Sequence, residues 1–70
     1  MFGRRNYKRL DPRALEAMRE EYVHTLNTWR AACDQYRHIG DKGAARRCLR
    51  GIRHCRREIR AIDRAANRRR

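Results

Sequence analysis

Between Ala45 and Ala66 the sequence returns to a small or apolar residue at alternating steps of three and four: Ala45, Cys48, Ile52, Cys55, Ile59, Ile62 and Ala66. An uninterrupted pattern of this period is the a/d seam of a helix packed lengthwise on another helix. The opposite face of the same helix holds Arg46, Arg50, Arg53, Arg57, Arg60 and Arg64, spaced four then three. None of these arginines has an acid at i+4, and only Arg60 has one at i+3, Asp63. One face therefore holds a fold, and the other lines with guanidinium groups a helix that, over Ala44 to Asn67, is about 36 Å long at ~1.5 Å per residue. Everything else in the chain has to supply a partner for that seam.

A chain of 70 residues makes one domain at most, and one without room for a large core. Charged residues account for 40% and hydrophobic ones for another 40%, a mixture suited to long amphipathic helices. The net charge of +12 selects acidic partners: nucleic acid, an anionic membrane or an acidic protein surface. Arginine outnumbers lysine eighteen to two. GC-rich coding would give that bias, and so would a need for bidentate contacts to phosphate or carboxylate.

Asp11 and Pro12 open the partner helix, as N-cap and first helical residue. Leu10 and Leu15 have the spacing of a hydrophobic staple across that start. Glu16, Glu20 and Glu21 lie where the helix dipole favours negative charge. The apolar stripe is Leu15, Met18, Tyr22, Leu26, Trp29, Cys33 and Tyr36, widened by Val23 and Ala32. Gly40 reads as the residue after the helix end and Asp41 as a cap for the next helix. A connection this short makes the helices antiparallel neighbours.

The expected fold is all-α: an antiparallel two-helix hairpin with a basic, extended N-terminal arm. Its parts are an arm over residues 1–10, a helix over 11–39, a turn over 40–43, a second helix over 44–67 and a basic tail over 68–70. In that register Tyr36 meets Cys48, Cys33 meets Ile52, Trp29 meets Cys55, Leu26 meets Ile59, Tyr22 meets Ile62 and Met18 meets Ala66. Large residues on the first helix face small or medium ones on the second.

Charge is divided unevenly along this plan. Residues 11–38 carry four arginines against five acids, and residues 39–70 carry twelve basic groups against three acids. The arm adds Arg4, Arg5, Lys8 and Arg9 with no acid, interleaved with Phe2 and Tyr7. Basic residues among aromatics suit an arm laid on RNA or in an acidic groove. They equally suit a solvated terminus whose aromatics fold back over the hairpin. In a hairpin both chain ends lie together, so Arg4, Arg5, Lys8, Arg9, Arg64, Arg68, Arg69 and Arg70 would form one basic cluster.

No catalytic constellation stands out, and the reading is of a protein that is not an enzyme. Asp34, Gln35 and His38 share a turn, but a two-helix rod offers them no cleft. Cys33, Cys48 and Cys55 approach one another in the expected register, yet Cys48 and Cys55 are roughly 10 Å apart by helical rise. They read as reduced core thiols, with no metal or cofactor expected. Sequence-specific DNA reading lacks a helix-turn-helix or basic-zipper pattern. Membrane-surface binding lacks bulky apolar residues free of the seam. No segment approaches the roughly 20 apolar residues of a membrane span, and a cytosolic protein is expected.

The opening MFGRRNYKRL, the bias to arginine and the short two-helix body resemble the small RNA-polymerase-binding antiterminators of lytic phages, as made by a phage of Xanthomonas. The resemblance spans the whole chain and rests on its overall character, with no diagnostic motif. It implies a transcription regulator in the cytosol of a bacterial host, bound as a monomer to RNA polymerase near the RNA exit channel. There it would touch the β′ N-terminal region and the β flap, inhibit host promoters and promote read-through of intrinsic terminators. The terminator hairpin would be kept from forming in a narrowed channel, with nascent RNA nearby and help from the elongation factor NusA. The channel residues implied are Arg4, Arg5, Lys8 and Arg9, with Phe2 and Tyr7 as anchors. The residues alone leave two other readings open. One is a stand-alone, non-specific nucleic-acid-binding hairpin that uses the basic stripe. The other is an assembly protein that pairs into a four-helix bundle.

Overall fold

The computed structural model of the chain describes residues 7–68. A single turn of 3₁₀-helix, Tyr7–Arg9, precedes two α-helices, α1 (Pro12–His38) and α2 (Lys42–Arg68). The helices run antiparallel and pack along their length, as the seam requires.

Capping sets the helix ends. Asp11 is extended (φ −72°, ψ 165°), and its Oδ1 accepts a hydrogen bond from the Ala14 N–H at 2.8 Å. Pro12 follows at the first helical position, where its missing N–H costs nothing. At the other end of α1, Ile39 N–H still donates to the Gln35 carbonyl at 3.1 Å. Gly40 then takes φ +81°, the left-handed conformation that an L side chain resists. Its N–H donates to Arg37 O at 3.2 Å, and the Asp41 N–H to Tyr36 O at 2.9 Å. These two bonds make a Schellman motif.

Asp41 does a second job in the same turn. Its Oδ1 accepts from the Ala44 N–H at 3.0 Å, so the residue that seals α1 also caps α2. Sharing that residue starts α2 at Lys42, two positions before the expected Ala44, and carries it one residue further, to Arg68. α1 comes out one residue shorter at each end than expected, because Asp11 and Ile39 are its caps.

Toward the turn, two contacts fall about one turn or more from the expected register. The Trp29 indole lies over Gly51, four residues before the expected Cys55. The Cys33 thiol points at the Ala45 carbonyl, with Sγ 4.0 Å from the oxygen, and shares its buried cluster with Ile52, its expected neighbour. Further along, Arg19 Nε reaches Asp63 Oδ1 at 2.9 Å.

The core comes in two parts. Around the middle and the turn, Leu26, Cys33, Ala45, Cys48, Ile52 and Cys55 are buried together, with Tyr22, Trp29, Ala32, Leu49 and Ile59 packed against them. Toward the open end, Leu15, Ile62 and Ala65 are buried with Tyr7, and Leu10, Met18, Tyr22, Ala61 and Ala66 close around them, so Tyr22 and Ile62 share a cluster as expected. Leu10 and Leu15 thus meet in one cluster, as the staple spacing predicts.

Several seam residues sit differently from expectation. Ala65 is buried where Ala66 was expected to be, and Tyr36 lies at the rim with 36% of its surface exposed. Ten residues beyond Leu26 an ideal helix has turned about 80° away from it. The same holds for Met18, eight residues before Leu26, which is half-buried.

The larger correction concerns the arm. Its described part is not extended. Leu10 N–H donates to Tyr7 O at 3.2 Å, closing a turn, and Tyr7 is only 5% exposed. A two-helix hairpin leaves both flanks of its seam open, and an aromatic ring that covers part of one removes a large apolar area from water. Of the two readings of the arm, folding back over the hairpin holds for Tyr7.

A candidate polyanion-binding face

α2 bears ten basic residues and two acids along 27 residues. Its seam must face α1, so helical geometry turns the basic residues outward. Arg46, Arg50, Arg53, Arg57, Arg60 and Arg64 are all exposed, as are Arg47, Arg56 and Arg68. The expected stripe is therefore wider, and Arg47 and Arg56 extend it down either flank.

The two acids of α2 do little to neutralise it. Asp63 turns to Arg19 of α1 instead of Arg60 on its own helix. Both partners are about half exposed, at 48% and 47%, so the bridge is worth less than about 1 kcal/mol. Glu58 is half-buried at the edge of the seam and has no lysine or arginine at i±3 or i±4. Among the described residues, none of the six stripe arginines makes an ion pair or a side-chain hydrogen bond. Their guanidinium donors face solvent.

The basic end-cluster is described in part. Lys8 and Arg9 are exposed on the 3₁₀ turn, which packs against α2 through Tyr7 beside Ile62 and Ala65. That docking places them at the same end of the hairpin as Arg64 and Arg68. Phe2, Arg4, Arg5, Arg69 and Arg70 lie outside the described residues. Tyr7 itself is committed to the core and does not offer its ring to a partner.

All three cysteines are free thiols and buried. Burial pushes the Cys55 thiol above its usual range, which keeps it protonated and unreactive. Among the described residues no group of three His, Cys, Asp or Glu side chains is placed to hold a metal ion. Nor is any helix among them long and apolar enough to cross a membrane.

Two contacts beside the seam, off the arginine face, escaped the sequence reading. His54 is exposed on α2 and meets Tyr22 edge-on, with ring centroids 6.2 Å apart at 71°. Gly51 is the second, and it had a legible signal. Glycine inside a helix costs about 1 kcal/mol relative to alanine, so an isolated one usually has a packing reason. No family model, curated protein or solved structure matches this sequence.

Proposed function

We propose that the hairpin binds a polyanion, laying the arginine face of α2 along a nucleic-acid phosphate backbone while α1 acts as its splint. The observation that carries this reading is the missing counter-charge: ten basic residues against two acids on one helix, with one of those acids drawn away to α1. Crowding so many like charges costs stability through self-repulsion, a cost that a polyanionic partner relieves. Exposed guanidinium groups also match phosphate oxygens in geometry, two donors to two acceptors.

The more specific proposal follows the sequence resemblance. In it the chain is a transcription regulator that binds bacterial RNA polymerase near the RNA exit channel, inhibits host promoters and promotes read-through of intrinsic terminators. Nascent RNA is then the polyanion. Support comes from the resemblance and from Lys8 and Arg9 standing at the end of the hairpin that also carries Arg64 and Arg68.

Two measurements test both levels. Affinity for a short RNA or DNA duplex should fall with salt by roughly 0.9 log unit per log unit for each phosphate contacted. Reversing Arg50, Arg53 and Arg57 to glutamate should remove most of that slope. Capture of polymerase from nuclease-treated bacterial lysate by the tagged protein tests the transcription reading. Strong duplex binding without capture of polymerase would retain the first proposal and reject the second.

A further inference from the structure

The chain has five aromatic residues outside histidine, and three of them, Tyr22, Trp29 and Tyr36, stand at heptad spacing on α1. Two contacts fix the direction they face. Tyr22 meets His54, and Trp29 lies over Gly51. Because the spacing is seven, Tyr36 continues the same line, and the rungs are about 10 Å apart by helical rise. Across the seam, Arg47, Gly51 and His54 fall at i, i+4 and i+7 and so border the same side.

Toward the open end this side is closed by the cluster of Tyr7, Met18 and Ala61. Nearer the turn, no described residue covers it. Trp29 is half-buried, Tyr36 is 36% exposed, and Arg47 and His54 are exposed beside them. Glu58 follows His54 at four residues, which leaves the stretch from Arg47 to His54 as the cationic part of this border.

We propose that Trp29 and Tyr36, with Arg47 beside them, form a stacking platform for the bases of a single-stranded nucleic acid. This rests on the polyanion-binding reading and adds a second face to it. The charge says which occupant fits. An apolar peptide gains nothing from the flanking arginines, whereas a strand offers phosphates to Arg47 and Arg50 and flat bases to the rings. Stacking tolerates any base, because every base has a π face. A duplex hides those faces between its own base pairs, so only a single strand can use both the arginines and the rings.

Trp29 is the single tryptophan, so its emission reports on this face alone. A uridine homopolymer of about 12 nucleotides, within the ~4–16 nucleotides of typical single-strand sites, is titrated against a duplex of equal length and against inorganic polyphosphate. The expected result is quenching of Trp29 by the single strand and little change with the other two. Tyr36→Ala, which lies outside both core clusters, should weaken single-strand binding by roughly 5- to 140-fold and leave duplex binding unchanged. The pair Arg50→Glu and Arg57→Glu should weaken both.

Unchanged emission at saturating single strand overturns the proposal. So does equal quenching by polyphosphate, or an equal effect of Tyr36→Ala on both nucleic acids. If duplex binding still falls in the arginine variant in those cases, the basic-face reading survives alone. If neither nucleic acid binds at all, both readings fail together.

Discussion

α1 and α2 are each 27 residues long and share one seam, but they divide their surfaces differently. α2 buries seven residues, all small or of medium size, and exposes almost only arginine on its far side. α1 buries three, and carries Tyr22, Val23, Trp29, Ala32 and Tyr36 half in and half out of water. Its charges are balanced, with four arginines against four acids between Pro12 and His38. α2 is thus a helix of two sharply separated faces, and α1 is a helix with apolar surface to spare. The contrast separates two tasks. α2 needs a narrow, small-residue seam so that its charged face stays outside, and α1 supplies the bulk that fills the space between them.

That comparison breaks most visibly at Trp29. Trp29→Ala removes the largest side chain that α1 places on α2, and should cost about 3 kcal/mol, the low end for a large aromatic because the ring is only half-buried. Urea unfolding followed by helical circular dichroism measures it. An unchanged midpoint would mean that α1 does not hold α2 through this residue.

Gly51→Ala probes the same contact from the other helix. An alanine Cβ there would come within 2.6 Å of the indole Cδ2 and Nε1 atoms. Overpacking costs about 1–3 kcal/mol, against a gain of about 1 kcal/mol in helix propensity, so a net loss near 1 kcal/mol is expected. Combined with Trp29→Phe, the alanine should turn from harmful to neutral or stabilising. A double-mutant cycle gives the coupling, and additive effects would argue against direct contact.

Asp41→Ala tests the turn that both helices share. Loss of the cap to Ala44 should cost about 1 kcal/mol in thermal or urea unfolding, as for other N-caps. Asp41→Asn, which keeps a capping oxygen, should recover most of it.

Arg19→Ala removes the cross-helix ion pair with Asp63 and should shift stability by less than about 1 kcal/mol, because both side chains are half exposed. Its more informative effect is on charge. Freed from Arg19, Asp63 is available to Arg60, and the salt slope of duplex binding should flatten slightly.

The smallest effect belongs to Cys55. Burial raises its thiol pKa above the usual 9.0, so the folded state holds the proton more tightly than the unfolded one. The stabilisation is fully present below the unfolded thiol pKa and is lost as pH rises from there through the folded value. Maleimide labelling of native protein at neutral pH should leave Cys55 unmodified and become complete on unfolding. Rapid native labelling would mean that this part of the seam opens readily.

Much of this molecule was legible because its periodicities are long and local. The 3-and-4 spacing of Ala45, Cys48, Ile52, Cys55, Ile59, Ile62 and Ala66 names a packed helix, and the arginines on its far side follow from the same 3.6-residue turn. Asp11-Pro12 and Gly40-Asp41 mark the helix ends, because capping depends on bonds within a few residues. Whether those arginines would keep their own acids was less legible: Arg60 and Asp63 are neighbours in sequence, yet Asp63 bonds to Arg19 across the seam.

What the sequence by itself determined is the pair of helices, their antiparallel order and the sign of each outer face, since all of these depend on neighbours one or two turns away. Only the tertiary structure decided the register, the place of Tyr7 and the pairing of Trp29 with Gly51. Toward the turn, Trp29 sits over Gly51 and the Cys33 thiol reaches the Ala45 carbonyl, whereas at the open end Met18 and Ala66 still share one cluster as expected. Tyr7 could be solvated or buried as far as local rules go, and an open flank of the hairpin gave it a place to be buried. Trp29 needed a partner without a Cβ, and which residue would lie beneath it was fixed only when the two helices met.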